Sequence, residues 1–463
     1  MMKFSKFLTA ASVATLLTSI GGGAAWAGVS VEEAKQLGRN LTLWGAEKAG
    51  NKEGTIPEYT GGLPTSTSPP GFVKGSGKWP NPFADEKPLV SITAQNMDKY
   101  ADKLSEASKV LLKRYPTYRI DVYPSHRTVN PPKHFLDATL RNATAASATN
   151  NGLSIEGAAG GTPFPIPKTG YEVMWNHMTR WTATAYLMKF QQYYLDSNGR
   201  RVLGADYDGS FNYPGNAPGM TPDQFKKNGG WYFESAYNAV SPPRVLGDCT
   251  LIRDNLDPVD SIRKAYQYSA STRRVRLAPD VAYDTPVTSM GGVPAWDESG
   301  LFLGKMDRFD FKLVGKKEMY IPYNNYDALY NTAPEKLYLD KHINPDILRW
   351  ELHRVWVVEA TLKPGLRHIY TKRMFYIDED YVGAGASDEW DAGGKLYKGA
   401  FTVNAVSYDS GAVANFPYMV YDLATGSYTL GAFMGGRGGF WPREQLWPAN
   451  TFTPDGLVAR SKQ

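Results

Sequence analysis

From Thr184 onward the apolar residues recur with a period of two, and nothing else in the 463 residues constrains the fold as strongly. Tyr186, Met188 and Phe190 alternate with Leu187, Lys189 and Gln191, and Asn198-Gly199 then makes a hairpin turn into Arg201 to Tyr207. The same pattern predicts strands over Ala265 to Ser269, Val275 to Leu277, Phe309 to Val314 and Met319 to Tyr323, the last two divided by a turn at Gly315. Leu352 to Leu362 turns at Pro364-Gly365 into Ile369 to Asp378, and Asp391 to Gly394 joins the next pair, ending in Phe401 to Tyr408. Tyr418 to Leu423 then turns through Thr425-Gly426 into Tyr428 to Phe433. Strands joined by short Gly-containing turns form an antiparallel meander. The β-α alternation of a parallel sheet is missing, as is any repeat of fixed period.

Many of these strands are apolar on both faces: Trp356 and Val358 on one, Val355 and Val357 on the other. One face packs on a core, and the other must be covered by helices or hold something apolar. Two aromatic-striped helices are available as cover. One carries Met97, Tyr100, Leu104, Ala107 and Leu111 and ends before Pro116. The other carries Tyr171, Met174, Trp175, Met178 and Trp181. Short helices also interrupt the meander, one of them capped by Asn344 with Pro345 at its first position. The predicted class is mainly β (α+β).

Ahead of the body lies an arm. Lys3 and Lys6, an apolar run from Phe7 to Ile20, and Ala25-Trp26-Ala27 have the form of a secretory leader cleaved after Ala27. Gly28 follows the cut, so lipid attachment through a cysteine there is excluded. Ser30 with Glu33 forms a capping box for a short helix running to about Gly38. Residues 50–88 are dense in Gly, Pro, Ser and Thr and predict an extended segment, with Trp79 and Phe83 pinning it to the body. The expected organisation is 1–27 leader, 28–135 arm with its helices, and 136–463 β-rich body, arm and body forming one folding unit.

The single cysteine, Cys249, rules out an internal disulfide and reads as a structural thiol. The formal net charge of +5, without a dense basic run, does not point to nucleic acid. The six histidines are scattered with no metal-ligand spacing, and no cofactor or metal is expected. G-x-S-x-G is absent, and Gly435 to Gly439 lacks the ending of a phosphate-binding loop. Acidic groups at Asp378-Glu379-Asp380 and at Asp388-Glu389 with Asp391 read as solvated turns. Arg273, Arg274 and Arg276 form the densest basic group, able to meet an anionic head group or a partner, or simply to guard a sheet edge.

The stretch from Glu32 to Gly62 (EEAKQLGRNLTLWGAEKAGNKEGTIPEYTGG) resembles the opening of a large proteobacterial exported family labelled domain of unknown function thirteen twenty-nine. Ile92 to Arg127, Tyr171 to Trp181 (YEVMWNHMTRW) and Ser271 to Pro286 resemble it too. That family is similar in fold to the periplasmic lipoprotein carrier LolA and its receptor LolB. The resemblance implies a curved, unclosed antiparallel barrel with helices over its concave face and an apolar cavity. It also implies a periplasmic location and an envelope role in handling a lipid or other hydrophobic molecule, with an inner-membrane export permease and an outer-membrane protein as partners. No catalytic residues come with it. Trp175, Trp181, Trp356, Met374, Tyr376 and Phe401 are the expected cavity-lining residues. A secreted hydrolase or carbohydrate-binding protein is the alternative, supported by aromatic content and acidic turns.

Overall fold

The computed structural model describes residues 28–279, 281–414 and 416–462. The leader and its cleavage site lie outside the described residues. After the Ser30-capped turn α1 (Val31–Ala34), whose capping box with Glu33 is formed, the chain runs without regular structure to β1 (Val90–Ile92). That run is tied down along its length. Trp79 is buried and donates its indole N–H to Asp409 Oδ1 at 2.8 Å, Asn81 Nδ2 donates to Asp327 at 2.7 Å, and Phe83 stacks on His126. Trp79 joins the same core cluster as the sheet.

The first predicted amphipathic helix is two pieces, a tight 3-10 stretch Met97–Lys103 and α2 (Glu106–Arg114). The break has a local cause. Ser105 caps α2 by accepting from the Ser108 amide, and Asp388 accepts from the amides of Glu106 and Ala107, both at 2.8 Å. β2 (Ile120–Val122), α3 (Lys133–Ala145) and the hairpin β3 (Ser147–Thr149) with β4 (Ser154–Glu156) follow. α4 (Gly170–Met178) is the second predicted helix, shorter than its aromatic stripe, with Trp181 beyond its end.

Then come β5 (Ala185–Leu195), β6 (Arg201–Asn212), α5 (Pro222–Lys227), β7 (Trp231–Ser241), β8 (Cys249–Asn255), β9 (Lys264–Ser269) and β10 (Arg274–Leu277). The second half holds β11 (Phe309–Pro322), α6 (Pro334–Leu337), β12 (Trp350–Leu362), β13 (Lys372–Asp378), β14 (Gly385–Trp390) and β15 (Leu396–Thr402). The small hairpin β16 (Ala405–Ser407) with β17 (Ala412–Ala414), then β18 (Tyr418–Asp422), β19 (Tyr428–Phe433), β20 (Gly439–Arg443) and α7 (Pro454–Arg460) complete it.

Several boundaries differ from expectation: the Ser30-capped helix ends at Ala34 and not near Gly38, and the expected strand Phe401 to Tyr408 divides between the end of β15 and β16, which pairs with β17 in a separate two-stranded sheet. Gly315 is a bulge and not a turn: Phe309 to Pro322 pairs with β12 along its whole length, and the register slips once between Leu313 and Gly315. The long partner strand holds both halves in line. Asn344-Pro345 opens a single turn, in which the Ile347 amide reaches the Asn344 carbonyl, and does not propagate into a helix.

The strands pair in the order β11-β12-β13-β14-β15-β18-β19-β5-β6-β7-β8-β9-β10, all antiparallel. β1, β2 and β20 attach beside this ribbon, and among the described residues the one parallel pairing within the large sheet is Trp350 with Val122. The meander runs from β5 to β10 and from β11 to β19, and β19 returns to pair with β5. The barrel is therefore unclosed: among the described residues β10 pairs only with β9, and β11 only with β12.

Candidate functional site

The segment joining the two free edges, residues 281–308, turns inward. Its Asp297 bonds Arg373 of β13, while the adjacent Trp296 shares a cavity wall with Tyr207 of β6. Those strands are six pairing steps apart, roughly 29 Å in a flat sheet at about 4.8 Å per step. Two consecutive residues reach both, so the sheet wraps around the segment. α4 packs on the same inner face, where the Tyr171 ring meets Phe311 and Phe311 stacks on Phe375.

Buried charge fastens the segment. Arg373 donates to Asp297 at 3.0 Å and to Glu389 at 3.2 Å, His368 lies 3.0 Å from Asp297, and Lys398 lies 3.5 Å from Glu298. Arg373, Glu298 and Glu389 are all 0% exposed. Burial would raise the Asp297 pKa, but Arg373 and His368 outweigh it and hold the carboxyl at about 2. Burial and the neighbouring Glu298 push Glu389 the other way, well above the carboxylate range.

Of the acidic residues expected on solvated turns, Asp391 does sit on its turn, half-buried and accepting from the Gly393 and Lys395 amides, but the others are interior. Asp378, Glu379, Asp380, Asp388 and Glu389 are all buried. Cations from distant segments compensate most of them: Arg127 grips Asp380 with two bonds of 2.7 Å, and Lys316 and Arg354 hold Glu379. Sequence could not reveal this, because each partner lies tens to hundreds of residues away. His353, Asp378 and Asp380 come close enough to hold a cation. They do not fit one: His353 sets one ring nitrogen on Glu351 at 3.1 Å and the other 3.5 Å from Asp378. Burial opposes its charge, but the two carboxylates raise its pKa to about 10, so both nitrogens are occupied by protons.

Between β6–β10 and residues 281–296 lies a cavity of about 610 Å³, within the range that holds a small-molecule ligand. Cross-strand register builds its floor. Tyr237 faces Thr250, Thr250 faces Gln267 and Gln267 faces Arg276, one row over four strands. Tyr207 packs edge-on against Tyr237 at 5.1 Å. The roof carries Val281, Val287 and Trp296, and Arg244, Val245 and Asp248 stand at the β7–β8 turn. A narrow continuation leads inward past Phe190, Met290, Phe416 and Tyr418. Cys249 borders the cavity as a buried thiol whose pKa burial lifts to about 12, which leaves it protonated and inert.

The structure scatters the residues expected to line a cavity. Trp175 borders a second space of about 140 Å³ together with Tyr232 and Arg263. Trp181 lies under α3, its ring 5.2 Å from Phe135. Met374, Tyr376 and Phe401 share the outer face covered by α2, since their registers align with Asp388 and Gly399, which α2 touches. Trp356 is half-buried beneath the Lys316 ammonium at 4.3 Å. Of the basic group, Arg276 borders the large cavity, while Arg273 and Arg274 are exposed at the β9–β10 turn. Tyr207, Tyr237 and Trp296 carry no motif. Tyr207 ends the strand expected over Arg201 to Tyr207, the signal for Tyr237 was the pattern of Trp231 to Ser241, a strand that polar residues on both faces conceal, and Trp296 in the connecting segment had no signal.

An unclosed antiparallel barrel, filled by its own connecting segment and leaving a large side cavity, defines a β protein of the open-barrel class. The chain belongs to the family described as protein of unknown function (DUF1329), whose model matches residues 91–458. It is 41% identical over 432 residues, 92% of each chain, to the uncharacterized protein PA3922 of Pseudomonas aeruginosa. Among solved structures it is similar to a DUF1329 family protein from Desulfovibrio piger, at 13% identity and a TM-score of 0.42, over 62% of this chain and 97% of that one. It is also similar to the LolA superfamily protein NE2245 from Nitrosomonas europaea, at 11% identity and a TM-score of 0.37, over 63% of this chain and all of that one. No helix among the described residues is long and apolar enough to cross a membrane.

Proposed function

We propose that this protein is a non-enzymatic carrier of the periplasm that holds a hydrophobic or amphipathic molecule in the 610 Å³ cavity. One observation carries the reading: a cavity walled by Tyr207, Tyr237, Val281, Val287 and Trp296 is open to solvent at a rim of exposed residues, including Thr272, Pro286 and Thr288. Apolar surface buried there gains about 25 cal/mol per Å². The roof is a loop with only short 3-10 turns, the kind of element that moves to admit or release a ligand. The leader pattern of residues 1–27 supports export, and delivery between an inner-membrane permease and an outer-membrane protein fits a carrier with one accessible mouth. The hydrolase alternative has less support, because Glu298, Glu389 and Asp388 are engaged in the interior and border none of the described cavities.

The test is extraction of protein purified from its own cell envelope, followed by mass spectrometry. A single molecule should co-purify with the wild type and be lost from Thr288→Trp, which plugs the mouth from an exposed position. Identical extracts from both proteins would overturn the assignment of the cavity.

A further inference from the structure

We infer that the molecule held in this cavity is a single anionic amphiphile, its apolar part against Tyr207, Tyr237 and Trp296 and its charged group toward Arg276, with Arg244 a second cation on the β6 side of the lining. This rests on the cavity being the binding site. The floor row grades from buried to exposed in one direction: Tyr237 is buried, Thr250 and Gln267 are half-buried, and Arg276 at the free edge of β10 is exposed. A ligand lying along that row meets aromatic surface at one end and a guanidinium at the other.

The lining as a whole also carries unbalanced positive charge. Arg276 donates through Nη2 to Gln267 at 2.7 Å, and Arg244 donates through Nη2 to the carbonyls of Leu203 and Gly204 at 3.0 and 2.9 Å. Among the described residues neither guanidinium forms an ion pair, and each has N–H donors beyond those bonds. The carboxylate of the lining, Asp248, accepts the Ala270 amide at 2.8 Å through Oδ1 and does not neutralise both cations. Neutral-tailed ligands would leave the two cations without a counter-charge. A space of about 610 Å³ with only a narrow inward continuation of about 20 Å³ suits one compact molecule rather than several long chains.

Two probes with the same ring system separate the charge from the apolar part: 8-anilinonaphthalene-1-sulfonate, which is anionic, and N-phenyl-1-naphthylamine, which is neutral. Fluorescence titration of the full mature chain should show one site for each, with the sulfonate bound more tightly. The double variant Arg244→Gln/Arg276→Gln alters two exposed side chains and should weaken the sulfonate about fivefold to tenfold while leaving the neutral probe within twofold. Raised salt should weaken only the sulfonate. Thr288→Trp should abolish both. Equal affinity of the two probes, or a sulfonate affinity indifferent to the arginine changes, would overturn the anionic assignment while leaving the carrier reading intact. Loss of neither probe in Thr288→Trp would sink both readings. Arginine-dependent sedimentation with phosphatidylglycerol vesicles, with sulfonate binding unchanged, would assign the cations to a membrane surface and overturn the inference.

Discussion

Arg373→Met tests whether buried charge holds the 281–308 segment inside the sheet. Arg373 is wholly buried and donates to Asp297, Glu389 and the Leu301 carbonyl at 3.0, 3.2 and 3.3 Å. Methionine keeps much of the volume packed against Phe302, Tyr370 and Phe375 but removes the charge. Taking away one partner of a buried ion pair costs roughly 3–5 kcal/mol, because the other is left uncompensated. The loss is tempered at Asp297, which keeps His368 at 3.0 Å.

Acidity sets the rest of the magnitude. Burial and Glu298 already raise the folded pKa of Glu389, with Arg373 and Lys398 pulling it down. Between the unfolded carboxylate value of about 4.3 and that raised value, the folded chain binds more protons than the unfolded one. The contribution of Glu389 to stability therefore falls as pH rises through this window. Removing Arg373 raises the folded value further, and each unit extends the loss by up to about 1.4 kcal/mol at pH above the value Glu389 has with Arg373 in place. Reversible urea titrations followed by tryptophan fluorescence should show a loss of about 3–5 kcal/mol at pH 9.5 and a clearly smaller one at pH 7, on the two sides of the raised value. Adding Glu389→Gln should flatten that pH dependence. A loss below about 1 kcal/mol, or one equal at both pH values, would refute the clamp.

Gly204→Ala should lift the roof of the cavity, because a Cβ there would stand 1.6 Å from the Ser289 carbonyl oxygen; faster amide exchange over residues 287–293 and weaker probe binding would show it. Asp388→Ala should release α2 from the outer face at a cost of about 2 kcal/mol, read as faster exchange of the Glu106 and Ala107 amides. Burial raises the Asp388 pKa to about 6, so this carboxylate's own contribution diminishes as pH rises from about 4 to 6, and the cost of the variant should shrink with it. Trp79→Ala should cost about 3–5 kcal/mol and open residues 50–88 to limited proteolysis, since the indole packs on Tyr330 and Phe440 and bonds Asp409.

Much of the sheet was legible because its turns are marked: Asn198-Gly199, Pro364-Gly365 and Thr425-Gly426 separate strands whose alternation survives in sequence. β7 and β8 were not, because Glu234, Ser235, Asn238, Arg253 and Asp254 interrupt the apolar pattern on both faces. Their polar groups are satisfied across the sheet, as where Arg253 meets Glu234 at 2.8 Å. The site suffered from the same blindness. Arg276 was visible as part of a basic run, but Tyr237 and Trp296 became neighbours only when β7 and the inward segment closed on each other.

The period of two, the Gly-marked turns and the capping box at Ser30 follow from backbone geometry within a few residues, and so the sequence by itself determined a mainly antiparallel β protein with a pinned N-terminal arm. Where the acidic groups went, what filled the sheet and where the cavity opened depended on partners such as Arg127 with Asp380 and Asp297 with Arg373, far apart in the chain. Such pairings are chosen by the whole burial problem, in which an unclosed sheet with two apolar faces had to bring its own connecting segment inside. Only the tertiary structure decided them.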